Sequence, residues 1–297
     1  MKRREQTEFT VEAPASFDFQ RTLRSHGWYD LPPFELIAED RLARVLEVGG
    51  DAPVTVFVRG GGAGLKVSAP ARLGAGARAR VERDVRHIFR LDDRLEEFYA
   101  RVGGDPDFGW VARDGAGRLL RSPTVYEDLV KSVMTTNCSW SLTKKMVTEL
   151  VGALGREAGD GRRAFPTPEA MAARPAGFYR EVVRAGYRSE YLAELAARVA
   201  SGEIDPESWL RSELPTAELK REMKRVKGVG DYAAENLLKL VGRYDVLALD
   251  SWVRGKFRRV RGGGRECDDK RIARFYSRFG EWRGLALWCD MTRDWFE

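Results

Sequence analysis

The segment VKGVGDYAAENLLKLVGRYDVLALDSW, residues 226–252, holds residue types and spacings that could do chemistry. Gly228 and Gly230 flank one valine, so the chain can reverse within a few residues. The N–H groups of the turn and of the helix after it are then free to face an anion, a phosphate diester above all. The predicted grip comprises Lys227, Gly228, Val229, Gly230 and Asp231. It would position a polyanion through its backbone and read no base. The same glycines also suit a Schellman-type end to one helix before the next, and spacing by itself favours that simpler use. Twenty residues after Gly230, the apolar run Val246, Leu247, Ala248, Leu249 delivers Asp250. A carboxylate carried to the floor of a cleft on a buried run has a strengthened field and a tunable pKa, which suits base or electrostatic chemistry. Asp250 also reads as the N-cap of the helix beginning SWVRGKF, and the two roles can coexist.

The elements that must hold these groups fall into two regimes. Residues 9 to about 75 read as strands with a short inserted helix: RLARVLEV, PVTVFVR and GLKVSAP are alternating or β-branched runs broken by glycine-rich turns, the pattern of an antiparallel meander. From Val81 the period becomes helical and stays so almost to the end. TVYEDLVKSVMTTNCSWSLTKKMVTELVGAL reads as two helices meeting near Asn137 to Ser139, and Thr167 and Pro168 open another helix as cap and first residue. The predicted class is α+β: a small N-terminal antiparallel β-sheet domain, residues 1–80, packed against a mainly α-helical domain, residues 81–297, with a helix-hairpin-helix motif at about 217–242.

Composition narrows the partners. The 297 residues are 43% hydrophobic and 32% charged, as in globular proteins. The formal charge is +6, and residues 218–265 alone hold 13 Lys or Arg against 6 Asp or Glu, so the rest of the chain is near neutral. A positive face concentrated around a glycine hairpin favours nucleic acid over membrane, since no amphipathic anchor accompanies it. A plain solvated arginine-rich face fits the charge equally well. No apolar run reaches membrane-spanning length and the N-terminus lacks a signal peptide's apolar core, which predicts a cytoplasmic protein, nucleoid-associated if bacterial. Cys138, Cys267 and Cys289 are odd in number and form no CxxC pair, which argues against a disulfide framework and against zinc or iron–sulfur ligation. They read as ordinary half-buried thiols.

KGVGDYAAENLL followed by Asp250 resembles the helix-hairpin-helix DNA glycosylase superfamily. LLRSPTVYEDLVKSVMTTNCSW and GYRSEYLAELA are similar to segments of its 8-oxoguanine and 3-methyladenine branch. The resemblance covers roughly residues 10 to 295 and implies a monomeric enzyme acting on double-stranded DNA with a damaged base. It implies that the hairpin grips the DNA backbone, that the carbonyls of Lys224, Val226 and Val229 can hold a structural Na⁺ or K⁺, and that no other cofactor or iron–sulfur cluster is needed. Asp250 would stabilise positive charge growing on the deoxyribose and orient the attacking water. Bifunctional relatives carry a nucleophilic lysine two positions after the second hairpin glycine. This chain has Tyr232 there, so a monofunctional glycosylase without lyase activity is expected. Tyr232 then reads either as a base-stacking aromatic or as a core residue of the second hairpin helix. Asn236, one turn beyond it, shares its face. Trp140 and Trp252 are candidate pocket walls or core, and Asn137 either contacts the base left behind or caps the next helix. The branch's guanine-reading glutamine has no counterpart, its place falling at Leu287. The alternatives are a non-catalytic lesion-binding protein and an 8-oxoguanine-type lyase using another lysine, such as Lys239 or Lys256. Alkylated purines, oxidised guanine, uracil and hypoxanthine all remain open as the excised base.

Overall fold

The computed structural model describes residues 6–50, 52–62 and 64–296. Strands β1 (Thr7–Glu12), β2 (Phe34–Ala38), β3 (Arg41–Leu46), β4 (Val54–Gly61) and β5 (Gly64–Ala69) form one antiparallel sheet in the order β1-β5-β4-β3-β2. β2 to β5 are the expected meander, and β1 closes the far edge on β5. The chain must therefore cross from one edge of the sheet to the other between β1 and β2. It does so through helix α1 (Phe19–Leu23) and a 3-10 turn at Gly27–Asp30, which brings His26 to Trp28 against the helical part.

Helices follow in chain order: α2 (Ala75–Ile88), α3 (Glu96–Gly103), α4 (Gly109–Arg113), α5 (Val125–Thr135), α6 (Trp140–Leu154), α7 (Pro168–Ala172), α8 (Ala176–Glu181), α9 (Arg188–Ala200), α10 (Thr216–Met223), α11 (Asp231–Leu240), α12 (Ser251–Val260), α13 (Asp269–Tyr276) and α14 (Arg283–Thr292). α2 begins six residues before Val81, where the sequence pattern turned helical, and so crosses position 80. Its first turns are Ala, Gly and Arg, with no apolar periodicity to signal them. Val81, Val85 and Ile88 supply the buried stripe at helical spacing. Thr167 caps α7, accepting from the Ala170 N–H at 3.3 Å, with Pro168 as its first residue.

The apolar core runs continuously from the inner face of the sheet into the helices. A buried polar tie reinforces it. Arg44 on β3 donates to both oxygens of Glu127 on α5, at 2.9 and 2.5 Å, and Lys131, one turn further on, reaches Glu127 at 2.6 Å. Burial opposes ionisation of Glu127, yet Arg44 and Lys131 together hold its carboxyl below the ordinary range. Both cations are paired with the one carboxylate, the condition under which such a network is tolerated, and the Arg44 Nε alone is left without a hydrogen-bond partner. Among the described residues no helix is long and apolar enough to cross a membrane.

Candidate active site

The hairpin is formed by α10, a turn over residues 224–230, and α11. Gly228 sits at φ +90°, and a Cβ there would lie 2.7 Å from the Tyr191 ring, so both conformation and space demand glycine. Gly230 differs. Its backbone is ordinary and extended, it is the N-cap of α11, and a Cβ on it would meet nothing within 4 Å. Open space at a helix N-terminus is where an anion could approach. Lys224, Val226, Lys227, Val229 and Asp231 border the same hollow. The two charged side chains of the grip are already engaged: Lys227 pairs with Glu194 at 3.4 Å, and Asp231 with Lys220 and Lys224 at 3.0 Å each. Hydrogen bonds from those two lysines hold the Asp231 carboxyl below its usual range.

Beside this hollow lies a cavity of about 880 Å³. Asp250, Tyr232, Asn236, Trp140, Trp252 and Asn137 all border it, and Asn137 borders the hairpin hollow too. The large aromatics Trp140, Tyr232, Trp252 and Trp295 remain 38–43% exposed along this one cavity. An apolar surface left open in one place marks a binding site better than scattered exposure does.

Each wall has a local cause. Asn137 takes a left-handed conformation, φ +47°, in the turn between α5 and α6, which asparagine tolerates better than most residues. It does not cap α6: Ser139 does, accepting from the Leu142 N–H at 3.3 Å. Trp140 packs against Gly27, where a Cβ would lie 2.5 Å from its ring, and its indole donates to Asp30 at 3.0 Å. Trp252 packs with Trp288 and Trp295 at centroid distances of 6.0 and 5.8 Å. Asn236 donates to the Tyr232 carbonyl at 2.9 Å.

Asp250 is half-buried and caps α12, accepting from the Val253 N–H at 2.7 Å. Cap and cavity wall are the same side chain. The run approaching it is less buried than its composition suggests: Ala248 is fully buried, whereas Val246, Leu247 and Leu249 are only partly so. Ala248 is held at φ +53°, and its N–H donates to Glu235 on α11 at 2.8 Å. Glu235 also accepts from Lys220 on α10 at 2.5 Å. One carboxylate thus joins both hairpin helices to the strained run that presents Asp250, a link with no pattern in the sequence to announce it. Burial first, then the Asp250 charge and its hydrogen bond, push the Tyr232 phenol above its ordinary range.

Further walls of the cavity escaped the sequence. His26, Gly27 and Trp28 form the wall supplied by the crossing between β1 and β2. Trp288 lines the cavity from α14, next to Leu287, which is buried in the core and takes no part. Lys239 borders the cavity, while Lys256 does not: its ammonium bonds Asp294. Cys138 and Cys267 are half-buried, and Cys289 is fully buried with its thiol pushed up to about 12 by burial. Among the described residues no group of three or more His, Cys, Asp or Glu side chains could hold a metal ion.

No protein-family model matches the chain. It is 24% identical to DNA-3-methyladenine glycosylase of Bacillus subtilis (strain 168) over 165 residues, 54% of each protein, so the chain spans about half the length of the curated relative it matches. Among solved structures, 3-methyladenine DNA glycosylase from Archaeoglobus fulgidus aligns with a TM-score of 0.74 at 20% identity, covering 98% of this chain and 99% of that one. Clostridium acetobutylicum 8-oxoguanine glycosylase/lyase, bound to double-stranded DNA with cytosine opposite 8-oxoguanine, aligns with a TM-score of 0.73 at 19% identity and 100% coverage of both. Over nearly its whole length the chain shares the fold of these two DNA glycosylases. The five-stranded antiparallel sheet followed by helices is part of that shared fold.

Proposed function

We propose that this protein is a monofunctional DNA glycosylase of base-excision repair: it rotates a damaged base out of the duplex into the aromatic cavity and hydrolyses the N-glycosidic bond. The observation that carries this reading is the presence of Asp250 on the wall of an aromatic cavity that adjoins the hairpin hollow through Asn137. Hairpin and carboxylate are then one device, the first holding phosphate while the second faces the sugar.

Extrusion of the base costs a few kcal/mol, least for a damaged or mispaired nucleotide, and phosphate contacts at the hairpin offset it. The backbone around Gly230 supplies those contacts, because open space lies in front of it. Trp140, Tyr232 and Trp252 offer flat faces to the extruded base. As the C1′–N bond breaks, its electron pair leaves with the base and positive charge grows on the deoxyribose. Asp250 stabilises that charge: two unit charges about 4 Å apart at an effective dielectric near 20 attract by about 4 kcal/mol. Water then bonds C1′, and the proton it loses balances the one the departing base gains. Tyr232 offers no amine where bifunctional relatives place one, which supports hydrolysis without strand scission.

A monovalent cation fits the hairpin. Lys224, Val226 and Val229 border one hollow, and backbone carbonyl oxygens are suitable donors for a hard cation. The Val226 carbonyl already accepts the Val229 N–H at 3.0 Å, so it would offer its second lone pair. Such an ion would stiffen the turn and draw phosphate toward it.

The test is a panel of duplexes, each with one modified base, scored separately for base release and strand scission. Asp250→Asn preserves the helix cap, since asparagine caps as well as aspartate, and removes only the charge. Base release should fall about a thousandfold, the kinetic equivalent of about 4 kcal/mol, with DNA binding retained. Unchanged release would leave Asp250 as a cap alone.

A further inference from the structure

We propose that Lys239 selects the excised base, its ammonium donating a hydrogen bond to an uncharged damaged base that carries a carbonyl or ring-nitrogen acceptor, the oxidised or deaminated class, and disfavouring purines made cationic by alkylation. This rests on the glycosylase reading above and extends it to substrate class.

Tyr232, Asn236 and Lys239 stand at positions i, i+4 and i+7 of α11, one face of the helix, and all three border the cavity. Lys239 is 2% exposed, and its Nζ has no hydrogen-bond partner. It lies 4.8 Å from the centre of the Trp288 ring. The charged and titratable groups facing it are otherwise occupied or neutral. On α11 itself, Glu235 is bonded to Lys220 and to the Ala248 N–H. At the start of α12, Asp250 accepts from Val253. From the β1–β2 crossing, His26 bonds the Leu120 carbonyl and is held neutral by burial, its pKa pushed down to about 4. A buried ammonium is normally given an acceptor within the fold, so an unpartnered one on a cavity wall indicates that a ligand brings the acceptor.

The chemistry agrees with that assignment. An uncharged base leaves with the electron pair of the C1′–N bond and must disperse negative charge, which an ammonium hydrogen-bonded to it stabilises. A cationic alkylpurine leaves neutral and gains nothing from the ammonium. Burial pushes the amine down to about 8, while Glu235 and Asp250 act in the opposite direction. At pH 7 admitting a cationic base therefore requires Lys239 to shed a proton about one unit below its pKa, roughly a tenfold penalty, or about 1.4 kcal/mol.

Single-turnover base release from duplexes containing one 8-oxoguanine, hypoxanthine or 3-methyladenine, between pH 6 and 9.5, tests this in wild type, Lys239→Met and Lys239→Gln, with borohydride added in a parallel arm. In wild type, release of the uncharged bases should exceed that of 3-methyladenine and decline toward tenfold per unit above pH 8, while 3-methyladenine release rises up to that pH. Lys239→Met should lower release of uncharged bases at least tenfold and abolish both pH trends, with duplex binding unchanged. Lys239→Gln, a neutral donor, should restore part of the release without the pH dependence. Faster release of 3-methyladenine with no inflection near pH 8 would overturn the assignment while upholding the glycosylase reading. A borohydride adduct lost in Lys239→Met would overturn it by making the amine a nucleophile. Release of no base from any duplex would defeat the glycosylase reading itself, and this inference with it.

Discussion

Two buried lysines stand on neighbouring helices and have opposite surroundings. Lys131 on α5 is fully enclosed and reaches Glu127 at 2.6 Å, which Arg44 clamps from the sheet. Lys239 on α11 is almost as enclosed and is given an aromatic face but no hydrogen-bond acceptor. The first arrangement holds sheet to helix; the second leaves an interaction unmade at the cavity wall. A buried ammonium paired within the fold marks what the fold needs, and one left without an acceptor on a cavity wall marks where a ligand is expected to supply it.

That contrast can be broken most severely at Arg44. Arg44→Ala leaves the Glu127 carboxylate buried with half its compensation, and urea unfolding should show a loss of about 3–5 kcal/mol. A loss under 1 kcal/mol would mean that the network is dispensable. Acid should act next. Burial pushes His26 down to about 4 and His87 to about 3, so on acidification the unfolded chain takes up protons first, near 6.5. Stability is thus full above pH 6.5 and falls below it by at most about 1.4 kcal/mol per unit for each ring, checked by thermal melts from pH 7 to 4. Glu235→Ala strips the Ala248 N–H of its acceptor and should cost about 1–3 kcal/mol. It should also slow base release while DNA binding persists, which single-turnover rates and titrations would separate. Gly228→Ala should destabilise by about 1–2 kcal/mol because of its left-handed backbone, whereas Gly230→Ala should leave the melting temperature alone and weaken binding to every duplex alike. The smallest effect sharpens the comparison: Lys239→Met should unfold within about 1 kcal/mol of wild type at pH 7, or later than it. It should also lack the wild-type rise in stability between pH 8 and the lysine's ordinary range, where the unfolded chain binds the extra proton.

What could be read from the sequence was what short stretches decide for themselves. Gly228 and Gly230 spell a turn, Asp250 precedes a helix as its cap, and Tyr232 and Asn236 share a face by spacing alone. The β-sheet was visible from alternation, although the edge strand FELIA, mostly exposed, blended into its surroundings. What could not be read depends on distant segments meeting. The wall from His26 to Trp28 exists because β1 and β2 occupy opposite edges of the sheet. Lys239 lacks an acceptor because of where Glu235 and Asp250 spend theirs, and Leu287 and Trp288 exchange core and cavity roles through the rotation of α14.

The bridge made by Glu235 has a mechanical consequence. Since one side chain fastens Lys220 ahead of the turn and Ala248 two residues before Asp250, the hairpin cannot shift without dragging the acid along. In a glycosylase working as proposed, the span between the phosphate held at the hairpin and the reacting sugar would be a fixed gauge, and a nucleotide that has not swung out far enough to match it would be passed by.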